Sequence, residues 1–60
     1  MITKAGFIID VSSDLEYELE NVLEGFDDSI FEDMSELQVQ FRVADMLDID
    51  ENRVYVERDT

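Results

Sequence analysis

Nearly all the side chains in this chain with chemical capacity are carboxylates, and their spacing decides what they can do. Glu16, Glu20 and Glu24 recur every fourth residue, and Asp14 and Glu18 repeat the interval. With 3.6 residues per helical turn, each set forms a row along one side of a helix. Neighbouring Cβ atoms in such a row stand about 5–6 Å apart, and like charges there cost a few tenths of a kcal/mol per pair. Rows held at that cost suit a cationic surface. Phosphates along one nucleic-acid strand follow each other every ~3.4 Å of rise, so two rows of carboxylates can imitate two lines of phosphates. Tyr17 falls between the rows, and tyrosine is enriched at the centres of binding surfaces.

Other acids offer different chemistry. Asp27–Asp28 and Glu32–Asp33 are adjacent carboxylates. General acid–base work needs a cleft that splits their pKa values, and a chain of 60 residues leaves little room for one. They instead extend the anionic segment. The expected partner-binding set is Asp14, Glu16, Tyr17, Glu18, Glu20, Glu24, Asp27, Asp28, Glu32 and Asp33. Asp48, Asp50 and Asn52 match the first ligand positions of an EF-hand calcium loop, with Asp59 in the last. Arg53 replaces the glycine that makes the loop turn, and Val54 to Val56 read as strand where a helix should follow. An acid-rich turn is therefore expected there, and no metal. Asp28-Ser29-Ile30 resembles the attachment site of acyl carrier proteins, whose serine carries phosphopantetheine at a helix start. The flanking segments do not reproduce that family's spacing. No serine has a His or Lys base in pattern, and phosphate-loop and dinucleotide fingerprints are lacking. Neither catalysis nor a cofactor is expected.

Composition narrows the function class. Seventeen acids against four cations give a net charge of −13, beyond the magnitude of about 2–8 suited to a small domain. The sign opposes direct binding to nucleic acid or to an anionic membrane. Between Lys4 and Arg42 there are eleven acids and no cation. This is not a surface laced with i,i+4 ion pairs. Apolar residues reach 45%, too many for a disordered acidic tail. With no Cys and no His, disulfides, thiolate metal sites and imidazole catalysis drop out. The longest apolar run, Phe7 to Ile9, is far too short to span a membrane. No secretory signal is visible at Met1 to Val11, so a cytoplasmic location is expected.

The elements that position these residues follow from periodicity. Ile2 to Val11 alternates as a strand, with Gly6 marking a bulge or a close backbone approach. Ser13 to Glu24 reads as an amphipathic helix. Ser13 and Glu16 have capping-box spacing, Leu15, Leu19, Val22 and Leu23 form the apolar stripe, and Gly25 fits a left-handed C′ position backed by Phe26. Ser29 and Glu32 repeat the box spacing, so a short helix or turn is expected, with Ile30, Phe31 and Met34 beneath it. Glu36 to Leu47 fits a strand by alternation. It fits a helix better, because Ala44 to Leu47 extend a face of Leu37, Phe41, Ala44 and Leu47, with Val43 beside it, behind a Ser35–Gln38 box. Asp48 to Asn52 is a polar turn. Arg53 to Arg58 is a strand with Val54 and Val56 inward. The pattern predicts a single α+β domain, strand–helix–helical region–strand, with the helices on one face of a two-stranded sheet. Two strands alone are marginal, so a homodimer that completes the sheet or buries helix faces is expected.

In small size, extreme acidity, lack of Cys and His, and acids arrayed on a short helix, the chain resembles the phage-encoded nucleic-acid mimics. That class includes anti-restriction and anti-CRISPR proteins and inhibitors of DNA-repair or DNA-packaging proteins. The resemblance is of character and carries no shared motif. It implies an inhibitor that occupies the basic nucleic-acid groove of a host protein. The alternative is a structural or regulatory interaction module, with contacts centred on Tyr17, Phe26 and Phe31 and acidity serving solubility or a salt-rich cytoplasm.

Overall fold

Alternating burial starts at Phe7. In the computed structural model, which describes residues 2–3, 5–25 and 28–59, strand β1 runs Phe7–Asp10 and strand β2 runs Tyr55–Arg58. They pair antiparallel in the register Phe7 with Arg58 and Ile9 with Val56. Phe7 and Ile9 are fully buried, and Val56 packs against the same core. Ile8, Asp10, Tyr55 and Glu57 take the other face, as the period of two requires.

The first strand is shorter than the alternation of Ile2 to Val11 predicts. Ile2 forms an isolated bridge back to Ile8. The reason is a tight reversal. The Thr3 N–H donates to the Phe7 carbonyl (2.8 Å) and the Gly6 N–H to the Thr3 carbonyl (3.2 Å), while the Phe7 N–H donates to the buried Thr3 Oγ1 at 3.1 Å. Gly6 sits at φ 87°, the left-handed conformation a glycine bulge supplies. A Cβ there would meet nothing within 4 Å, so the glycine serves backbone conformation and not a close approach.

Helix α1 spans Ser13–Glu24. Its N-cap is Ser12, whose side chain makes no cap bond. A box needs its serine at the N-cap and its acid at N3. Here Ser13 is already the first helical residue and N3 is Leu15, so the expected Ser13–Glu16 box is one residue out of register. Leu15 and Leu19 are buried, and Val22 and Leu23 are half-buried against the core. Gly25 ends the helix at φ −95°, ψ 15°, so the expected left-handed cap does not form. The expected Phe26 contact lies outside the described residues.

A 3-10 helix, Asp28–Asp33, follows. It inserts Phe31, fully buried, beneath the helices, with Met34 half-buried beside it. Ile30, expected to pack there, is 43% exposed. Helix α2 spans Glu36–Leu47, and the Ser35–Gln38 box is complete in both directions: the Gln38 N–H donates to Ser35 Oγ (3.2 Å) and the Ser35 N–H to Gln38 Oε1 (2.8 Å). The buried side of α2 is Val39, Val43, Ala44 and Leu47. The expected face had Leu37 and Phe41 inward, and they are instead 59% and 48% exposed. Covering both Val39 and Val43 turns the opposite side of α2 to solvent. Asp48 caps α2 in the left-handed region at φ 56°. Asp50 caps a second 3-10 helix, Glu51–Arg53, by accepting from the Asn52 N–H at 2.9 Å. Gln40 Nε2 donates to the Glu51 carbonyl at 2.7 Å, tying that segment to α2.

The architecture is a small α+β domain, a two-stranded antiparallel sheet with two helices. One core joins Phe7, Ile9, Leu19, Phe31, Val39, Val43, Ala44, Leu47 and Val54. Among the described residues no helix is long and apolar enough to cross a membrane.

Candidate acidic binding face

The apolar stripe of α1 fixes where its acids point. With Leu15 and Leu19 inward, helical geometry sends Glu16, Glu20 and Glu24 to one flank and Asp14 and Glu18 to the other. All five are exposed. Tyr17, between the rows, is 74% exposed. Glu32 and Asp33 are exposed on the 3-10 segment that follows. Asp27 lies outside the described residues, and for Asp28 the backbone alone is described.

The two rows differ in electrical surroundings. Arg53 Nη2 lies 3.9 Å from Asp14 Oδ2 and donates to Ser12 Oγ at 3.4 Å. The Ser12 hydroxyl bonds the Asp14 carboxylate, and that bond, helped by smaller effects of the Asp14 backbone and the Arg53 charge, holds its pKa below the ordinary 3.8 against the opposing effect of desolvation. Among the described residues, Glu16, Glu18, Glu20 and Glu24 form no ion pair. Among those residues no cation compensates their charge. The long cation-free segment in sequence is thus met within α1 by Arg53, near the other end of the chain. Arg58 acts similarly outside α1, 3.9 Å from Glu36 and with its guanidinium carbon 5.0 Å from the centre of the Phe7 ring.

One contributor was missed from sequence. A groove of about 180 Å³ between the end of β1 and α1 is lined by Ile9, Asp10, Val11, Glu16, Leu19 and Glu20. Asp10 therefore joins the Glu16 row. Its outward place at the end of a strand leading straight into α1 was the available signal. Small-molecule sites run about 300–1,000 Å³, so this groove suits a single side chain. Both walls carry carboxylates, Asp10 on one and Glu16 and Glu20 on the other. Among the described residues no group of three or more acids is placed to hold a metal ion. Asp48 and Asp50 are engaged in local caps, and Asp59 belongs to a different junction, its N–H donating to the Gly6 carbonyl at 2.8 Å. Ser29 lies within a short 3-10 helix and not at the head of a long α-helix, unlike the carrier-protein pattern. Phe31, expected as a contact residue of an interaction module, is 0% exposed and belongs to the core. Comparison with known proteins finds no family model, no curated protein and no solved structure that matches this chain.

Proposed function

We propose that this chain is a non-enzymatic acidic binding protein whose α1 face occupies the basic, nucleic-acid-binding surface of another protein. One observation carries the reading: Glu16, Glu18, Glu20 and Glu24 are exposed together on one short helix and have no cationic partner among the described residues. Such an array costs folding energy, and a cationic surface recovers it. The charge character shared with phage-encoded mimics supports an inhibitory role against a host nucleic-acid enzyme. Tyr17 supplies an aromatic contact inside the charged field.

The test is competition. The wild-type chain displaces DNA or RNA from a basic nucleic-acid-binding protein, and the association weakens steeply with salt. Converting Glu16, Glu20 and Glu24 to Lys abolishes displacement while circular dichroism shows the fold retained. A triple variant that still competes normally ends this reading. A second reading, a regulatory interaction module, is favoured by exposed Leu37 and Phe41 on α2. It expects weak salt dependence and loss of binding on α2 substitution.

A further inference from the structure

Leu37 and Phe41 stand one turn apart on the side of α2 opposite Val39 and Val43. With Met34, Gln38, Arg42 and Asp45 they line a groove of about 420 Å³ that is open to solvent. Scattered exposed apolar residues are ordinary, but the charge here is not. Helix α1 carries five acids and no cation. The α2 groove holds one cation, Arg42, and one acid, Asp45, so it is neutral in a chain of net charge −13.

We infer that a second copy of this chain docks in this groove, α2 against α2 about a two-fold axis. Two copies repel over most of their surface, and a neutral apolar groove is where they approach at least cost. A two-fold contact is isologous: residue i meets j, and j meets i. Arg42 and Asp45 lie on the same flank of the Leu37–Phe41 stripe, so each copy offers its Arg42 to the other's Asp45. The patch is complementary to itself. A basic partner would meet Arg42 as a like charge, whereas α1 offers it acids alone. A small molecule is disfavoured because such sites enclose about 70–90% of their ligand, and this groove is open. Association also supplies what a small domain with a two-stranded sheet lacks in stability.

This interface is separate from the α1 face, and the two respond to salt with opposite sign. Salt screens the repulsion between copies and strengthens the dimer, while it weakens capture of a basic partner by α1. Sedimentation equilibrium of the full chain over a range of concentrations, at low and high salt, reads the first effect. The expected result is a dimer that tightens with salt. Phe41→Ser or Leu37→Ser weakens it about tenfold or more, as loss of a central contact does. Arg42→Glu and Asp45→Arg each weaken it, and the two together restore it. Circular dichroism checks each variant. If Phe41→Ser unfolds, Leu37→Ser and the charge-swap pair carry the test. A wild-type chain that stays monomeric at every concentration and salt overturns the inference, as does a dimer indifferent to both groove substitutions. So does a groove variant that loses partner binding and keeps self-association.

Discussion

The Arg53 guanidinium lies 3.9 Å from the Asp14 carboxylate, joining the segment before β2 to the first turn of α1. Asp14 is thereby doubly placed. It sits where a helix N-terminus favours negative charge, and it faces the Arg53 guanidinium. Exposed pairs of this kind contribute little to stability. The consequence for binding is larger: among the described residues, Asp14 is the one acid of the α1 rows whose charge is answered by a cation. Asp14→Asn is therefore expected to weaken capture of a basic partner less than Glu20→Gln. Titration calorimetry at low salt measures both, and an equal or reversed order contradicts the assignment.

The same contact sets a pH response. The folded-state pKa of Asp14 is lowered, first by the Ser12 hydrogen bond and then by its backbone and Arg53. A lowered carboxyl pKa means fewer protons bound in the folded than in the unfolded chain. Its contribution is thus present above the ordinary value of 3.8 and lost as pH falls through the folded value. Carboxyl NMR titration should show Ser12→Ala and Arg53→Ala each raising the Asp14 pKa, Ser12→Ala more. No rise in either variant would refute the stated causes.

The two helix starts make a paired comparison. Ser35 caps α2 with both bonds of its box made, whereas Ser13 is already inside α1 and caps nothing. Replacing a capping serine by alanine costs about 0.5–2 kcal/mol, and substitutions away from such features stay within about ±0.5 kcal/mol. Ser35→Ala is expected in the first range and Ser13→Ala in the second, read by urea unfolding. Equal losses would mean that the caps have been wrongly placed.

How far this was legible depended on how local the cause was. Ser13–Glu24 and Glu36–Leu47 were readable because their apolar periodicity and caps are properties of a few neighbouring residues. Which side of α2 faces inward was not. Leu37, Phe41, Ala44 and Leu47 make as good a stripe as Val39, Val43, Ala44 and Leu47, and only packing against the sheet and Phe31 chooses between them. The exposure of the α1 acids was legible for the complementary reason, since the Leu15–Leu19 stripe forces them outward. The approach of Arg53 to Asp14 comes from the antiparallel return of the chain, which no local pattern contains, whereas Asp10 lines a groove with Glu16 and Glu20 because β1 leads straight into α1.

The two glycines are expected to respond oppositely to alanine. Gly6 lies at φ 87°, where a side chain strains the backbone by roughly 1–2 kcal/mol. Gly25 lies at φ −95° with open space at its Cβ position, and alanine at a compatible site gains about 0.4–1 kcal/mol from the unfolded chain. Thermal melts should order Gly25→Ala above wild type and Gly6→Ala below it. A destabilising Gly25→Ala would restore the left-handed cap that the backbone angles exclude.

Phe31 tests whether the short segment between the helices is part of the core. It is 0% exposed, while its neighbour Ile30 is 43% exposed. Removing a buried phenylalanine side chain costs about 3–5 kcal/mol. Stability of about 0.05–0.15 kcal/mol per residue gives this 60-residue chain roughly 3–9 kcal/mol in total. Phe31→Ala is therefore expected to remove most of the cooperative melt, while Ile30→Ala loses about 1 kcal/mol or less. Calorimetry distinguishes the two directly. A Phe31→Ala chain that melts cooperatively near the wild-type temperature would show that the 3-10 segment rests on the domain without holding it together. In that case the acids Glu32 and Asp33 would no longer be fixed relative to α1, and the acidic face would reduce to the helix alone.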